Sequence, residues 1–243
     1  MGVKAVTKML LDVYHRFLAH YGPQHWWPAD SPLEVIIGAI LTQSAAWGNV
    51  EKAITNLKAK GALSPGALRQ LSMEELSHLI YPSGYYNAKA VKIKSFVHWL
   101  GEHYNDNLDS LFALDIPLLR QELLSVHGIG EETADSIILY AAHKAIFVID
   151  AYTRRIICRL GLGPSTNSYA AFQALFMQHL PHDESLFNEY HALFVRHGKA
   201  TCKRFPLCGR CCLASLCSSP KASNKASWKQ SNLIVLWGIQ LSP

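Results

Sequence analysis

Apolar residues recur every three or four positions along almost the whole chain, and no stretch alternates as a strand would. Val6, Leu10, Val13, Phe17 and Tyr21 form one stripe, and Val50, Ala53, Ile54 and Leu57 form another. That spacing is the face of an α-helix. Segments such as IPLLRQELLSV, ETADSIILYAAHK, YAAFQALFMQHL and SLFNEYHALFVRHGK repeat it, so the expected class is all-α. SPLEVIIGAILTQ is apolar on every side, which predicts a buried central helix. It opens on Ser31, Pro32 and Glu34, a capping box with proline at the first helical position. Ser72 and Glu75 make a second box, and Asn87 is the expected cap of the helix through AKAVKIKSFVHWLGEHY.

Hydrophobic residues are 49% of the 243, charged residues only 17%, and the net charge is +5. The first two figures exclude a largely disordered chain, and the third is compatible with nucleic acid without requiring it. MGVKAVTKMLLDVYHRF reads as an amphipathic helix rather than a secretory signal. No apolar run approaches the roughly 20 residues that span a bilayer. The expectation is a soluble, monomeric protein with no membrane association, cytoplasmic, and nucleoid-associated if bacterial or archaeal. The Ser/Lys-rich stretch SSPKASNKASWKQSN predicts a disordered tail, and the closing LIVLWGI is expected to dock on the body.

Two chemical features stand close together. In LLSVHGIGEETADSIILYAAHKAIFVIDAY, a helical run ends in Gly128-Ile129-Gly130 and a second begins. Such a hairpin presents backbone N–H groups to a phosphate, or is simply a tight helix connection. Both glycines are expected in conformations closed to other residues. Ile129 is expected to tuck inward or to press on the minor groove. Asp150 then emerges from the apolar run AIFVI, the partly desolvated setting of a reactive carboxylate; it is equally a preferred N-cap for AYTRRIICRL.

The third feature is Cys202-x5-Cys208-x2-Cys211-x5-Cys217. In a chain read as intracellular, four cysteines so close are metal ligands rather than disulfides. Zinc and a [4Fe–4S] cluster both take four thiolates. A single short pair flanked by two long arms leans toward iron–sulfur. Cys212 is a spare that can substitute for Cys211, and Cys158 is expected in the core.

Together and in this order, these features resemble the helix-hairpin-helix DNA glycosylase superfamily, and within it endonuclease III and the endonuclease III-related group. The resemblance covers about residues 30–217. ILTQ (Ile40–Gln43), GYYNAKA (Gly84–Ala90), VHGIGEETA, VIDAYTRR and HALFVRHGKATC each match a family segment. It implies two helical domains with DNA in the cleft between them, here 29–144 and 1–28 plus 145–217, with 218–243 as the tail. It implies Asp150 as the catalytic acid and a [4Fe–4S] cluster on Cys202, Cys208, Cys211 and Cys217. DNA contacts are implied for Gln43, Lys89, His127, Gly128, Ile129, Gly130 and Thr133, with Gln43 entering the base stack. The partner implied is double-stranded DNA carrying a damaged or mismatched base. Two departures stand out. Bifunctional relatives carry a lysine where this chain has Glu132, and a carboxylate forms no Schiff base. The first cysteine arm is also one residue shorter than the family's usual six. The expectation is a monofunctional glycosylase. The alternatives are a bifunctional glycosylase/lyase using another amine and a non-catalytic lesion-binding module.

Overall fold

The computed structural model describes residues 2–219; the predicted tail and its apolar end lie outside them. Among the described residues there are helices and no strands. The chain divides into two compact units. The first comprises His25–Val148 and His182–Asn188; the second comprises, of the described residues, 2–24, Ile149–Pro181 and 189–219.

The first unit is organised around α2 (Pro32–Thr42), in which every residue from Leu33 to Leu41 is buried. Around α2 pack α3 (Trp47–Ala59), α6 (Tyr86–Tyr104) and α9 (Glu131–Tyr140). The short helices α4 (Pro65–Gln70) and α5 (Met73–Leu79) pack on α6, followed by a 3-10 turn at Tyr81–Ser83. Then come α7 (Leu108–Phe112) and α8 (Ile116–Ser125), the latter paired with α9. Arg120 ties that pair together, donating from Nε to Oδ1 of the fully buried Asp135 at 2.8 Å.

Local chemistry sets the helix starts. Ser64, Ser72, Asn107 and Asp115 each accept the backbone N–H three residues on, a cap worth about 1 kcal/mol apiece. The box at Ser72–Glu75 closes in both directions. At α2, Ser31 accepts from Glu34 N–H, but the Glu34 carboxylate turns one residue further back, to Asp30 N–H. Its other oxygen pairs with Lys58 at 2.8 Å. Asn87 is not a cap. Helix α6 begins at Tyr86, one residue earlier, after Tyr85 in a left-handed conformation (φ +45°).

The second unit contains α1 (Val3–Tyr21), α10 (Ala151–Arg159), α11 (Tyr169–Met177) and α12 (Glu184–Ala200) from Glu189 on. Its core is aromatic. Tyr190 and Phe194 stack at 4.7 Å, and Phe17 and Phe176 meet Phe194 edge-on. The Tyr190 hydroxyl donates to the Leu10 carbonyl at 2.8 Å, joining α12 to α1. Cys158 departs from expectation: it is exposed on α10, its sulfur over Gly163.

Candidate active site

In the first unit the hairpin between α8 and α9 is reached from two other helices. Gly128 has φ +85°, and a Cβ there would stand 2.2 Å from Cγ of Lys92 on α6. Position 128 thus needs glycine for its conformation and for the lysine stem lying across it. Gly130 does not fit the same expectation. Its φ of −96° and ψ of −179° suit any residue, and the space around it is open. What its exposed position leaves is room beside the start of α9, whose N-cap has no side-chain hydrogen bond. His127 is exposed, whereas Ile129 is buried and tucks into the unit.

Gln43 ends α2, and its amide is fully engaged. Nε2 donates to the Gly128 carbonyl at 3.1 Å and to Thr133 Oγ1 at 2.9 Å, and Oε1 accepts from Lys92 Nζ. Gln43, Gly128, Thr133 and Lys92 therefore form one cluster. Lys92 was not singled out by sequence; among three lysines in KAVKIK, only contact with the hairpin distinguishes it.

Lys89, expected at the DNA surface, is instead 2% exposed. Its ammonium donates to the carbonyls of Leu41 (2.8 Å) and Ser83 (2.7 Å). It braces the last turn of α2, from which Gln43 projects, against the turn before α6. Burial, followed by repulsion from Lys92, lowers its pKa to about 8. By contrast Tyr85, in its left-handed conformation just ahead of α6, is 74% exposed, an aromatic ring turned to solvent.

Farther along the same unit, Trp27 lies over Gly38 and meets Trp47 and Tyr140 at ring separations of 5.2 Å. A cavity of about 240 Å³ opens there, lined by Trp27, Pro28, Trp47, Glu34, Glu51 and Lys58, among others.

Asp150 belongs to the second unit and is 8% exposed. It caps α10: Oδ1 accepts from Thr153 N–H at 2.7 Å. The cap fixes the carboxylate's direction and leaves Oδ2 to face His191 of α12, whose Nε2 is 3.9 Å away. Lys199, on α12, also feels the Asp150 charge; desolvation lowers its pKa and Asp150 opposes that shift. Sequence reading missed His191, which resembles any polar residue within an apolar helix.

Cys202, Cys208, Cys211 and Cys217 line one cavity in the second unit, with Pro206, Leu207, Ala214 and Arg159. Arg159 dominates its wall. Its guanidinium donates to Cys202 Sγ at 3.1 Å and to the carbonyls of Lys203 and Arg204, while its own carbonyl accepts from Cys217 Sγ and from Ser219. Cys211 Sγ lies 3.6 Å from His197 Nε2. The described residues hold no three His, Cys, Asp or Glu side chains converging on a single ion. Four sulfurs around a shared space, one facing a cation, fit a thiolate-bound group as chemistry.

Comparison with known proteins agrees with this picture. The family model described as "HhH-GPD superfamily base excision DNA repair protein" matches residues 37–182. A protein of Methanocaldococcus jannaschii, provisionally named a DNA repair glycosylase, is 41% identical over 87% of this chain and 97% of its own length. Endonuclease III of Sulfolobus acidocaldarius is 32% identical over 75% of this chain and 79% of its own. Among solved structures, an endonuclease III–DNA covalent intermediate superposes with a TM-score of 0.75 at 23% identity, covering 87% of this chain and 95% of that one, a likeness of fold. The H. pylori 3-methyladenine DNA glycosylase bound to 1,N6-ethenoadenine does so with 0.68, also at 23% identity, covering 82% and 98%. The chain therefore belongs to the HhH-GPD superfamily of base excision DNA repair proteins, as an endonuclease III-like DNA glycosylase.

Proposed function

We propose that this glycosylase hydrolyses the N-glycosidic bond of a damaged or mismatched base in duplex DNA and leaves an abasic site without cutting the strand. The observation that carries the reading is Asp150, nearly buried and oriented by the first turn of α10, in a chain whose hairpin helix begins Glu131-Glu132 rather than with a lysine.

The first N–H groups of α9, beside the open Gly130, bind a backbone phosphate. The target nucleotide leaves the stack, and Gln43 and Tyr85 occupy the duplex around the gap. For Gln43 this means giving up its bonds to Gly128 and Thr133 for bonds to bases. As the C1′–N bond breaks, its electron pair leaves with the base and positive charge grows on the sugar. The Asp150 carboxylate stabilises that charge. Water then bonds to C1′ and its proton passes to Asp150. Glu132 offers no amine to the aldehyde of the abasic sugar, so the reaction stops there.

Cys202, Cys208, Cys211 and Cys217 are the residues that would hold a [4Fe–4S] cluster. Their spacing, one short pair between two long arms, leans toward a cluster over zinc. Such a group would supply structural iron–thiolate bonds to hold the loop carrying Lys203, Arg204 and Arg210, whose exposed positions suit them to the DNA backbone.

The test is a panel of duplexes carrying alkylated, oxidised or mismatched bases, with abasic product and strand scission scored separately. Base loss without scission is expected, and Asp150→Asn should abolish it while DNA binding survives. Full turnover in that variant removes Asp150 from the chemistry. A borohydride-trapped protein–DNA adduct overturns the monofunctional reading.

A further inference from the structure

We propose that His191 is a positioning residue for Asp150, holding the carboxylate oxygen that the helix cap leaves loose. The inference rests on the glycosylase reading and names a second residue of the same reaction centre.

The geometry comes from the face that α12 turns to the start of α10. His191, Val195, Gly198 and Lys199 lie on one side of α12, at the i, i+4, i+7 and i+8 positions of a helix face. Gly198 is the close approach: a Cβ there would stand 2.4 Å from the Tyr152 ring, two residues after Asp150. That fit fixes α12 against the first turn of α10. About two turns back along α12, the imidazole Nε2 meets Asp150 Oδ2 at 3.9 Å. Oδ1 is already held by Thr153 N–H. Approach of less than 1 Å converts the 3.9 Å contact into a hydrogen bond. The carboxylate is then gripped by both oxygens and only its remaining lone pairs are free for the sugar.

His191 suits a neutral donor. It is buried, and burial lowers its pKa, with the Asp150 charge opposing that shift. Asp150, at the cap of α10, is the charged group whose field His191 feels; Lys199, on the same face of α12, is the other cation coupled to Asp150. At neutral pH the imidazole N–H orients the carboxylate without pairing off its charge. In acid, imidazolium forms a full ion pair with Oδ2 and withholds it from the sugar. The wild-type protein should therefore lose excision on the acid side through His191.

The experiment measures single-turnover excision between pH 5 and 8, with thermal melting and DNA affinity measured in parallel, for the wild type, Asp150→Asn, His191→Leu and His191→Gln. His191→Leu is expected to slow excision about 10- to 100-fold, the scale of a small misplacement of a reacting group, with DNA affinity unchanged. His191→Gln keeps an N–H donor but does not titrate. It should excise within a fewfold of wild type at pH 7.5, with its acid limb moved to lower pH. If His191→Leu does not fold, the His191→Gln profile decides: an acid limb superimposed on wild type overturns the proposal. Wild-type speed in His191→Leu overturns it too, as does a His191→Gln variant that folds yet is as slow as His191→Leu. Excision by wild type but not by Asp150→Asn, with both His191 variants normal, removes this inference alone. No excision by the wild type removes the glycosylase reading with it.

Discussion

Replacing Lys89 with methionine should change how stability depends on pH, not only its size. The ammonium is buried between the carbonyls of Leu41 and Ser83, and its pKa falls from 10.5 to about 8. The sign follows from proton counting. Between these two values the unfolded chain binds a proton at Lys89 that the folded chain does not, so stability rises with pH across that window. From pH 7.5 to pH 10 the contribution grows by about 2 kcal/mol for a shift of this size. Methionine fills similar volume and removes the titration. The measurable quantity is the unfolding free energy of wild type minus that of Lys89→Met, from urea denaturation at several pH values. Tyrosines and cysteines titrate in both proteins, so their contributions largely cancel. The difference should move in favour of wild type as pH rises above 8. A flat difference would mean that Lys89 keeps its ordinary pKa, and the account of its burial would fail. At pH 7 the variant should still be the less stable, because two buried carbonyls lose their donor.

Installing an amine with Glu132→Lys should make the protein trappable on lesion DNA by borohydride and add strand scission, read on a denaturing gel. Gly128→Ala combines a left-handed backbone position with a clash on Lys92. It should cost about 2–4 kcal/mol of unfolding free energy in denaturant melts and weaken DNA binding. Cys208→Ser should lower the iron content and visible absorption of protein purified without oxygen, measured by metal analysis and spectrophotometry, while the helical circular dichroism of the remainder persists.

Much of the molecule was legible from local pattern. The stripes on α1 and α3, the wholly apolar α2, the box at Ser72–Glu75 and the cap at Asp150 all follow from residues within one or two turns of each other. What escaped depends on contacts between distant segments. Lys89 reads as surface because lysines usually are; only the free carbonyls at the end of α2 and in the turn at Ser83 make its burial favourable. Asn87 was a good cap in isolation, but the chain turns through Tyr85 instead. Gly130 and Gly128 look alike in the text, and only the Lys92 stem distinguishes them. His191 gained its interest from a helix forty residues away in sequence.

Arg159 grips the cysteine segment at both ends, with its side chain on Cys202, Lys203 and Arg204 and its carbonyl on Cys217 and Ser219. Bringing together the ends of a sixteen-residue segment costs roughly 2.5 kcal/mol of chain entropy beyond a constant. Here one residue of α10, a helix whose start is capped by Asp150, offsets that cost. Protein contacts alone therefore hold the mouth of the loop closed, independently of whatever the space between the cysteines takes up.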